Sequence, residues 1–237
     1  MDILSWILGY KSGLKKGGGG GTGEPAILAS GVFTSGVTWE LAATGLLTIS
    51  GTGAMDEYTA KANQPWYDYQ SDIKYVVIDS GVTSIGDHAF YDCTQLRDIN
   101  IPSTVTSIGK MALAYTAVGS ITIPSGVKTI GVQAFQGCKL FGVIIPNSVT
   151  TIGDGAFMMN GNLASVTIGS GVTSIGRQAF AQSGSKLVSA TFQDTSTWYV
   201  GDTAGATTTS VSVTNASTNA SNLRSTSAHA NKYWTKV

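Results

Sequence analysis

Charge is scarce in this chain. Lys and Arg together number 14 and Asp and Glu 14, so charged residues make up 12% of 237 residues and the formal net charge is zero. Without clustered cations there is no electrostatic footprint for nucleic acid, and little drive toward an anionic membrane. Histidine occurs twice, as His88 and His229, and neither has a Cys or His at metal-ligand spacing. No apolar run approaches the length that spans a bilayer. These shortages argue against nucleic-acid binding, a transmembrane segment and a structural zinc site, and we expect no metal or cofactor. A hydrophobic content of 42% is nevertheless enough for a core. The length suits one repeat domain with flanking pieces, or two compact domains.

What the chain has instead is repetition. Ile99-Asn-Ile-Pro-Ser-Thr-Val-Thr-Ser-Ile-Gly109 returns as Ile121-Thr-Ile-Pro-Ser-Gly-Val-Lys-Thr-Ile-Gly131. Aligned on Ile-Gly, the copies fall at Ile85, Ile108, Ile130, Ile152 and Ile175, a period of 22–23 residues, within the range of leucine-rich repeats. Three apolar columns precede it: Ile73, Leu96, Val118, Leu140, Leu163 and Leu187; then Val76, Ile99, Ile121, Val143, Val166 and Ala190; then Ile78, Ile101, Ile123, Ile145, Ile168 and Phe192. A fourth holds Val82, Val105, Val127, Val149 and Val172, and Ala-Phe closes most turns, becoming Ala112-Leu113 in one. The Leu-x-x-Ile-x-Ile end has period two, which makes one short strand per turn with its apolar side inward. Pro102, Pro124 and Pro146 lack a backbone donor and end that strand. The Gly after each Ile suits a sharp turn at positive φ. Stacked turns then give a parallel sheet on one face and short turns or a helical segment on the other. The fold class is an α/β repeat solenoid.

Cys93 and Cys138 occupy the same place in copies two turns apart. Strand spacing puts them roughly 9–10 Å apart, beyond the ~7 Å Cα separation a disulfide spans. They are expected to be free, buried thiols.

The array over residues 73–192 resembles the BspA-type leucine-rich repeat. Val82-Thr-Ser-Ile-Gly-Asp-His-Ala-Phe-Tyr-Asp-Cys93 matches that family's signature throughout. The resemblance implies a bacterial surface protein or adhesin that binds host or matrix proteins. Before the array, residues 26–72 read as a β-rich cap: Val37, Trp39 and Leu41 alternate, then Leu47 and Ile49, divided by Thr44-Gly45, which is a hairpin pattern. Trp39, Met55 and Trp66 are expected in its core, over the open face of the first turn. Residues 193–237 read as a small C-terminal cap or tail, with Trp198 or Trp234 over the last turn and a mobile Ser/Thr-rich middle. Asn215-Ala-Ser217 and Asn219-Ala-Ser221 are glycosylation sequons by pattern.

Residues 17–25 are a Gly-rich linker. Residues 1–16 place Ile3, Leu4, Ile7 and Leu8 at helical spacing with Trp6 beside them. This is either a terminal helix packed or frayed, or an anchor that docks into a larger assembly. Asp2 and the short apolar run do not make a secretory signal. The start resembles attachment segments of phage or prophage tail-associated proteins.

No motif supports catalysis. Gly81–Gly86, Gly126–Gly131 and Gly171–Gly176 have phosphate-loop spacing, but none continues with Gly-Lys-Ser/Thr and the repeat explains the spacing. Ser-x-x-Lys recurs, as at Ser107–Lys110 and Ser125–Lys128, without a Lys-Thr-Gly partner. There is no Gly-x-Ser-x-Gly elbow. His88 fills a variable slot before Ala-Phe and reads as a solvent-facing turn residue. Asp56-Glu57 and Asp68 with Asp72 read as solvated carboxylates of the cap loops. What remains is the outward side of the strands: Tyr75, Asp98, Ser120, Gly142, Ser165 and Ser189, then Val77, Asn100, Thr122, Ile144, Thr167 and Thr191. That is a flat hydroxyl face with an acidic and aromatic end and an apolar spot at Ile144.

Two functions follow. One is a non-catalytic binding or adhesion module that takes a protein or glycan ligand of a cell surface or matrix through this face. The other is a phage or prophage virion component anchored by residues 1–10. Either places the protein outside the cell, on its surface or in a virion.

Overall fold

A computed structural model describes residues 25–183, 186–205, 209–223 and 229–236. The repeat winds into a β-solenoid whose turns have two sheet sides and a third side of tight turns. On the first side, the strands Tyr75–Ile78 and Asp98–Asn100 pair in parallel, as do Gly142–Ile145, Ser165–Ile168 and Ser189–Phe192. The second side is a sheet that periodicity did not announce. The short strands Val82–Ile85, Ser107–Ile108, Thr129–Ile130, Thr151–Ile152 and Ser174–Ile175 pair in parallel, Ile against Ile. Val-x-x-Ile does not alternate, so nothing in its pattern reads as a strand. The inward columns are buried as expected except at Ile101 and Ile121, which are half-buried, and Cys93 and Cys138 are buried free thiols.

The expected continuous sheet on the first side is divided. Ser120–Ile123 forms no paired strand, leaving a five-stranded and a three-stranded sheet. That copy holds its successor earlier in the turn, where the Lys139 and Phe141 N–H groups donate to the Val118 and Gly119 carbonyls at 2.9 and 3.1 Å. Its Val118 and Ile123 remain buried.

The third side carries no helix. Positive φ recurs here at every fourth residue, at His88 and Asp92, Met111 and Tyr115, Gln133 and Gly137, Gly155 and Met159, and Gln178 and Gln182. Between and at these positions, every second N–H points along the solenoid axis. His88, Phe90 and Asp92 donate to Lys110, Ala112 and Ala114 in the next turn at 2.7–2.9 Å, and the same three bonds recur from turn to turn as far as Met159 to Ala181. A non-Gly residue at positive φ costs about 1–2 kcal/mol, and such strain persists only where surroundings over-determine it. Here the ladder does so.

The Gly after each Ile therefore has another cause than the one its sequence suggests. Gly86, Gly109, Gly131, Gly153 and Gly176 are not at positive φ. A Cβ on Gly131 would lie 2.6 Å from the Gly109 carbonyl carbon, and on Gly176 it would lie 2.4 Å from the Asp154 nitrogen. Glycine is needed because consecutive turns touch backbone to backbone.

Inside the third side the rings form a spine. Phe135, Phe157 and Phe180 stack at 5.1 and 5.2 Å with interplanar angles of 6° and 1°. Phe90 stacks on Trp66 at 5.5 Å, and Leu113 fills the rung between Phe90 and Phe135.

At the N-terminal end, Thr38–Ala42 and Leu46–Ser50 form the expected hairpin, joined by Ile27–Val32, and Leu46–Ser50 pairs in parallel with Tyr75–Ile78. Trp39, Met55 and Trp66 are buried. The ladder's polarity leaves the carbonyls of Asp87, Ala89 and Tyr91 without a preceding turn. They accept from the Tyr58 N–H at 3.0 Å, the Trp66 indole N–H at 3.0 Å and the Gln64 and Gln70 side-chain amides at 3.2 Å.

Beyond the array, Trp198 and Trp234 pack on Phe192 at 5.2 and 6.1 Å, and Tyr233–Lys236 pairs antiparallel with Ser174–Ile175. Within the Ser/Thr-rich segment expected to be mobile, Ala216–Leu223 is a helix. Its weak propensity is offset by Asn215, whose Oδ1 accepts the Thr218 N–H at 2.9 Å as an N-cap. Asn219 is buried on the Ala190 and Val213 carbonyls, so its sequon is closed to modification in the folded chain.

Replacing Trp66 by Phe keeps a stacking ring and removes the indole donor. The Ala89 carbonyl is then left buried without that partner, a loss of about 1–3 kcal/mol. We expect the urea midpoint to fall with an unchanged m-value.

Candidate functional site

The outward face is built by strand alternation, so its residues sit in register across the strands. Gly142 pairs with Ser165 and Ser165 with Ser189, while Ile144, Thr167 and Thr191 line up beside them. Ser120, Thr122, Ser165 and Thr191 are exposed, whereas Tyr75, Asp98, Thr167 and Ser189 are half-buried. Ile144 is 67% exposed.

Two expected face residues are not available. Val77 has 0% exposure, flanked in the ladder by Thr48 and Asn100. Alternation aims its side chain outward but does not say what stands beside it. Asn100 spends its amide on the scaffold: its Oδ1 accepts the Ile78 N–H at 2.8 Å and its Nδ2 donates to the Ile78 carbonyl at 2.9 Å. The side chain extends the strand pairing by one step. The more exposed part of this face therefore lies away from the strands of Val77 and Asn100, toward the C-terminal half of the array.

That half holds two further residues the sequence reading passed over. Phe141 is 64% exposed and Val188 60%. Both occupy the position just after the first apolar column, where other turns carry Lys74, Arg97, Gly119 and Ala164. A large apolar residue in a polar or small column was the available signal. Phe141 directly precedes Gly142, which pairs with Ser165, and Val188 directly precedes Ser189, which pairs with Ser165 from the other side; Ile144 pairs with Thr167. An apolar spot within a hydrogen-bonding, uncharged field is suited to a protein surface.

Elsewhere the chemistry is structural. His88 is half-buried, contrary to the expectation of a free turn residue. Its Nδ1 lies 2.6 Å from the Tyr58 carbonyl, and its ring meets Tyr91 edge-on at 5.8 Å. Asp56 accepts from the Thr34 N–H and hydroxyl at 3.0–3.1 Å. Burial pushes the Cys138 thiol up to about 11, although the Thr116 hydroxyl beside it pulls the other way, and burial raises Cys93 as well. Both thiols stay protonated at neutral pH, the inert form. No group of three or more His, Cys, Asp or Glu side chains among the described residues is placed to hold a metal ion. Nor is any described helix long and apolar enough to cross a membrane. The anchor residues Ile3, Leu4, Trp6, Ile7 and Leu8 lie outside the described residues.

The repeat can now be placed. The sequence matches the BspA type leucine rich repeat region in six copies, over residues 63–186 and 112–229. The chain belongs to the BspA-type leucine-rich repeat family. Members carry a repeat module that generally mediates protein interaction or adhesion, and such modules are typically not enzymes. A leucine-rich repeat protein from Eubacterium ventriosum superposes with a TM-score of 0.65 at 35% identity, over 71% of this chain and 46% of that one. This chain thus spans less than half of that relative's length. A leucine rich cell surface protein from Faecalibacterium prausnitzii is 22% identical, with a TM-score of 0.42 over 75% of this chain and 57% of that one. The leucine-rich repeat protein of T. pallidum is also 22% identical, with a TM-score of 0.40 over 65% of this chain and 85% of that one. No curated protein matches the chain.

The contrast between Val77 and Ile144 is measurable. Val77→Lys buries an unpaired charge and should lower stability by at least about 3 kcal/mol. Ile144→Lys changes an exposed position and should stay within about 0.5 kcal/mol of the parent. Thermal and urea unfolding of the two variants checks both.

Proposed function

We propose that this chain is a non-catalytic protein-binding module of an extracellular or cell-surface protein, acting through the C-terminal half of its strand face. The observation that carries the reading is the exposed trio Phe141, Ile144 and Val188 on an otherwise hydroxyl-rich, uncharged sheet. Monomeric surfaces scatter exposed apolar residues singly, whereas a group of them marks an interaction site. Around the trio, Ser120, Thr122, Ser165, Thr167, Ser189 and Thr191 supply the polar rim, and Tyr75 and Asp98 lie at its far end. Val77 and Asn100 support the scaffold and take no part.

The same proposal divides the chain by role. Residues 26–72 act as the N-terminal cap, residues 73–192 as the display array and residues 193–237 as the C-terminal cap. The donors that Tyr58, Gln64, Trp66 and Gln70 offer to the first turn support the first of these assignments. Residues 17–25 serve as the tether and residues 1–16 as its head.

A panel of immobilised extracellular-matrix proteins tests the reading, with the full chain and its Phe141→Lys, Ile144→Lys, Val188→Lys triple variant as analytes. Loss of an apolar hot spot of about 2 kcal/mol corresponds to a roughly thirtyfold weaker Kd. We expect at least that loss for any protein the parent binds, with little salt dependence. Undiminished binding by the variant, or binding that collapses in salt, would contradict the proposal.

A further inference from the structure

On the third side, away from the strand face, the column at the first positive-φ position reads His88, Met111, Gln133, Gly155 and Gln178. Four rungs carry a side chain and one does not. At this rung lies a cleft of about 550 Å³ whose walls include Gln133 and Gln178. Gly155 is buried at its floor, where a Cβ would lie 3.2 Å from the Gln133 Cγ. Gln133 and Gln178 stand two rungs apart, roughly 9–10 Å. Gly155 and Met158 line the cleft between them, and Val132 adds apolar surface at the mouth. The segment that follows the array contributes Asn231.

The polar groups are arranged for a neutral ligand. The Asp154 carboxylate lies 3.6 Å from the Arg177 guanidinium, which in turn lies over the Tyr233 ring at 5.2 Å. Asp154 also accepts the Arg177 N–H at 2.9 Å and the Tyr233 hydroxyl at 3.3 Å. The charges cancel and the carboxylate is well occupied, so neither an anion nor a cation finds an unmatched partner. The Gln178 Nε2 donates to the Asn231 Oδ1 at 2.7 Å, which leaves the Gln178 carbonyl and the Asn231 amide N–H groups for a ligand. The Gln133 amide has no hydrogen-bond partner among the described residues. Each side-chain amide pairs a donor with an acceptor, the combination that a hydroxyl group also presents.

We propose that this cleft binds a single pyranose residue of a neutral glycan. Its ring edge would present hydroxyls to the opposed amides of Gln133, Gln178 and Asn231, and its C–H face would rest on Met158 and Val132. A peptide strand fits less well, because the column lacks a side chain at only one rung and carries one on both sides. The volume falls within the range of small-ligand sites. The site is separate from the Phe141, Ile144 and Val188 surface and stands or falls independently of it.

Side-chain amide resonances of the full ¹⁵N-labelled chain, titrated with the methyl glycosides of glucose, galactose, mannose and N-acetylglucosamine, test this. At least one should give saturable shifts at Gln133 and Asn231 with a millimolar Kd. Gly155→Gln places here the residue that two other rungs hold at φ 57° and 56°, and its Cβ, 3.2 Å from the Gln133 Cγ, pushes that side chain aside; it should abolish the shifts while the backbone amide spectrum stays that of the folded parent. Asn231→Ala, at an exposed position, should weaken binding at least fivefold, and Ile144→Lys should leave it unchanged. No saturable shift with any of the four sugars, or titration of Gly155→Gln or Asn231→Ala like the parent, would overturn the proposal.

Discussion

Each turn of this solenoid completes the hydrogen bonding of the turn before it, and the third-side ladder is where that dependence is strictest. Turns and loops ordinarily leave backbone groups to water. Here the turn residues are drawn into the interior by a stack of rings, so their N–H and C=O groups need partners that only a neighbouring turn can supply. The positive φ values at His88, Met111, Gln133 and their equivalents are the conformational cost, and the axial bonds of 2.7–2.9 Å offset it. Because all these N–H groups point the same way, the ends of the stack are chemically different. The N-terminal end exposes carbonyls and receives an indole, two amides and a backbone N–H. At the other end, the Gln178 N–H donates to the Ala230 carbonyl at 2.7 Å.

Much of this was legible in the residues, and what was not has identifiable reasons. The period, the four apolar columns and the free thiols follow from spacing, since burial in a repeat is set by position within the turn. The glycine after each Ile was legible as a constraint but not as the right one. Positive φ and close backbone approach both select glycine, and only the distance from Gly131 to Gly109 separates them. The second sheet was hidden because two-residue strands leave no periodic trace. At Val77 the alternation rule points the side chain correctly, while the neighbours that bury it belong to other parts of the chain.

The candidate surface shows the same division. Ile144 stood out as an apolar residue among hydroxyls. Phe141 and Val188 did not, because their column precedes the alternating part of the motif. All three are exposed, whereas Val77 is buried and the Asn100 amide is spent on the Ile78 backbone. The cleft at Gly155 had no sequence signal, since a glycine in a glycine-rich repeat draws no notice until its column neighbours are known to carry side chains. Family membership accounts for the scaffold, and Phe141, Val188 and Gly155 are where this chain departs from the repeat's columns.

The turn ladder holds the solenoid together as firmly as its sheets do. Native-state hydrogen exchange tests it at the N–H groups of Phe90, Leu113, Phe135 and Phe157. They should exchange only through global unfolding, with the same free energy as buried strand amides such as those of Val143 and Val166. Exchange of these four amides at the rates of exposed loops, with the strands still protected, would contradict the account.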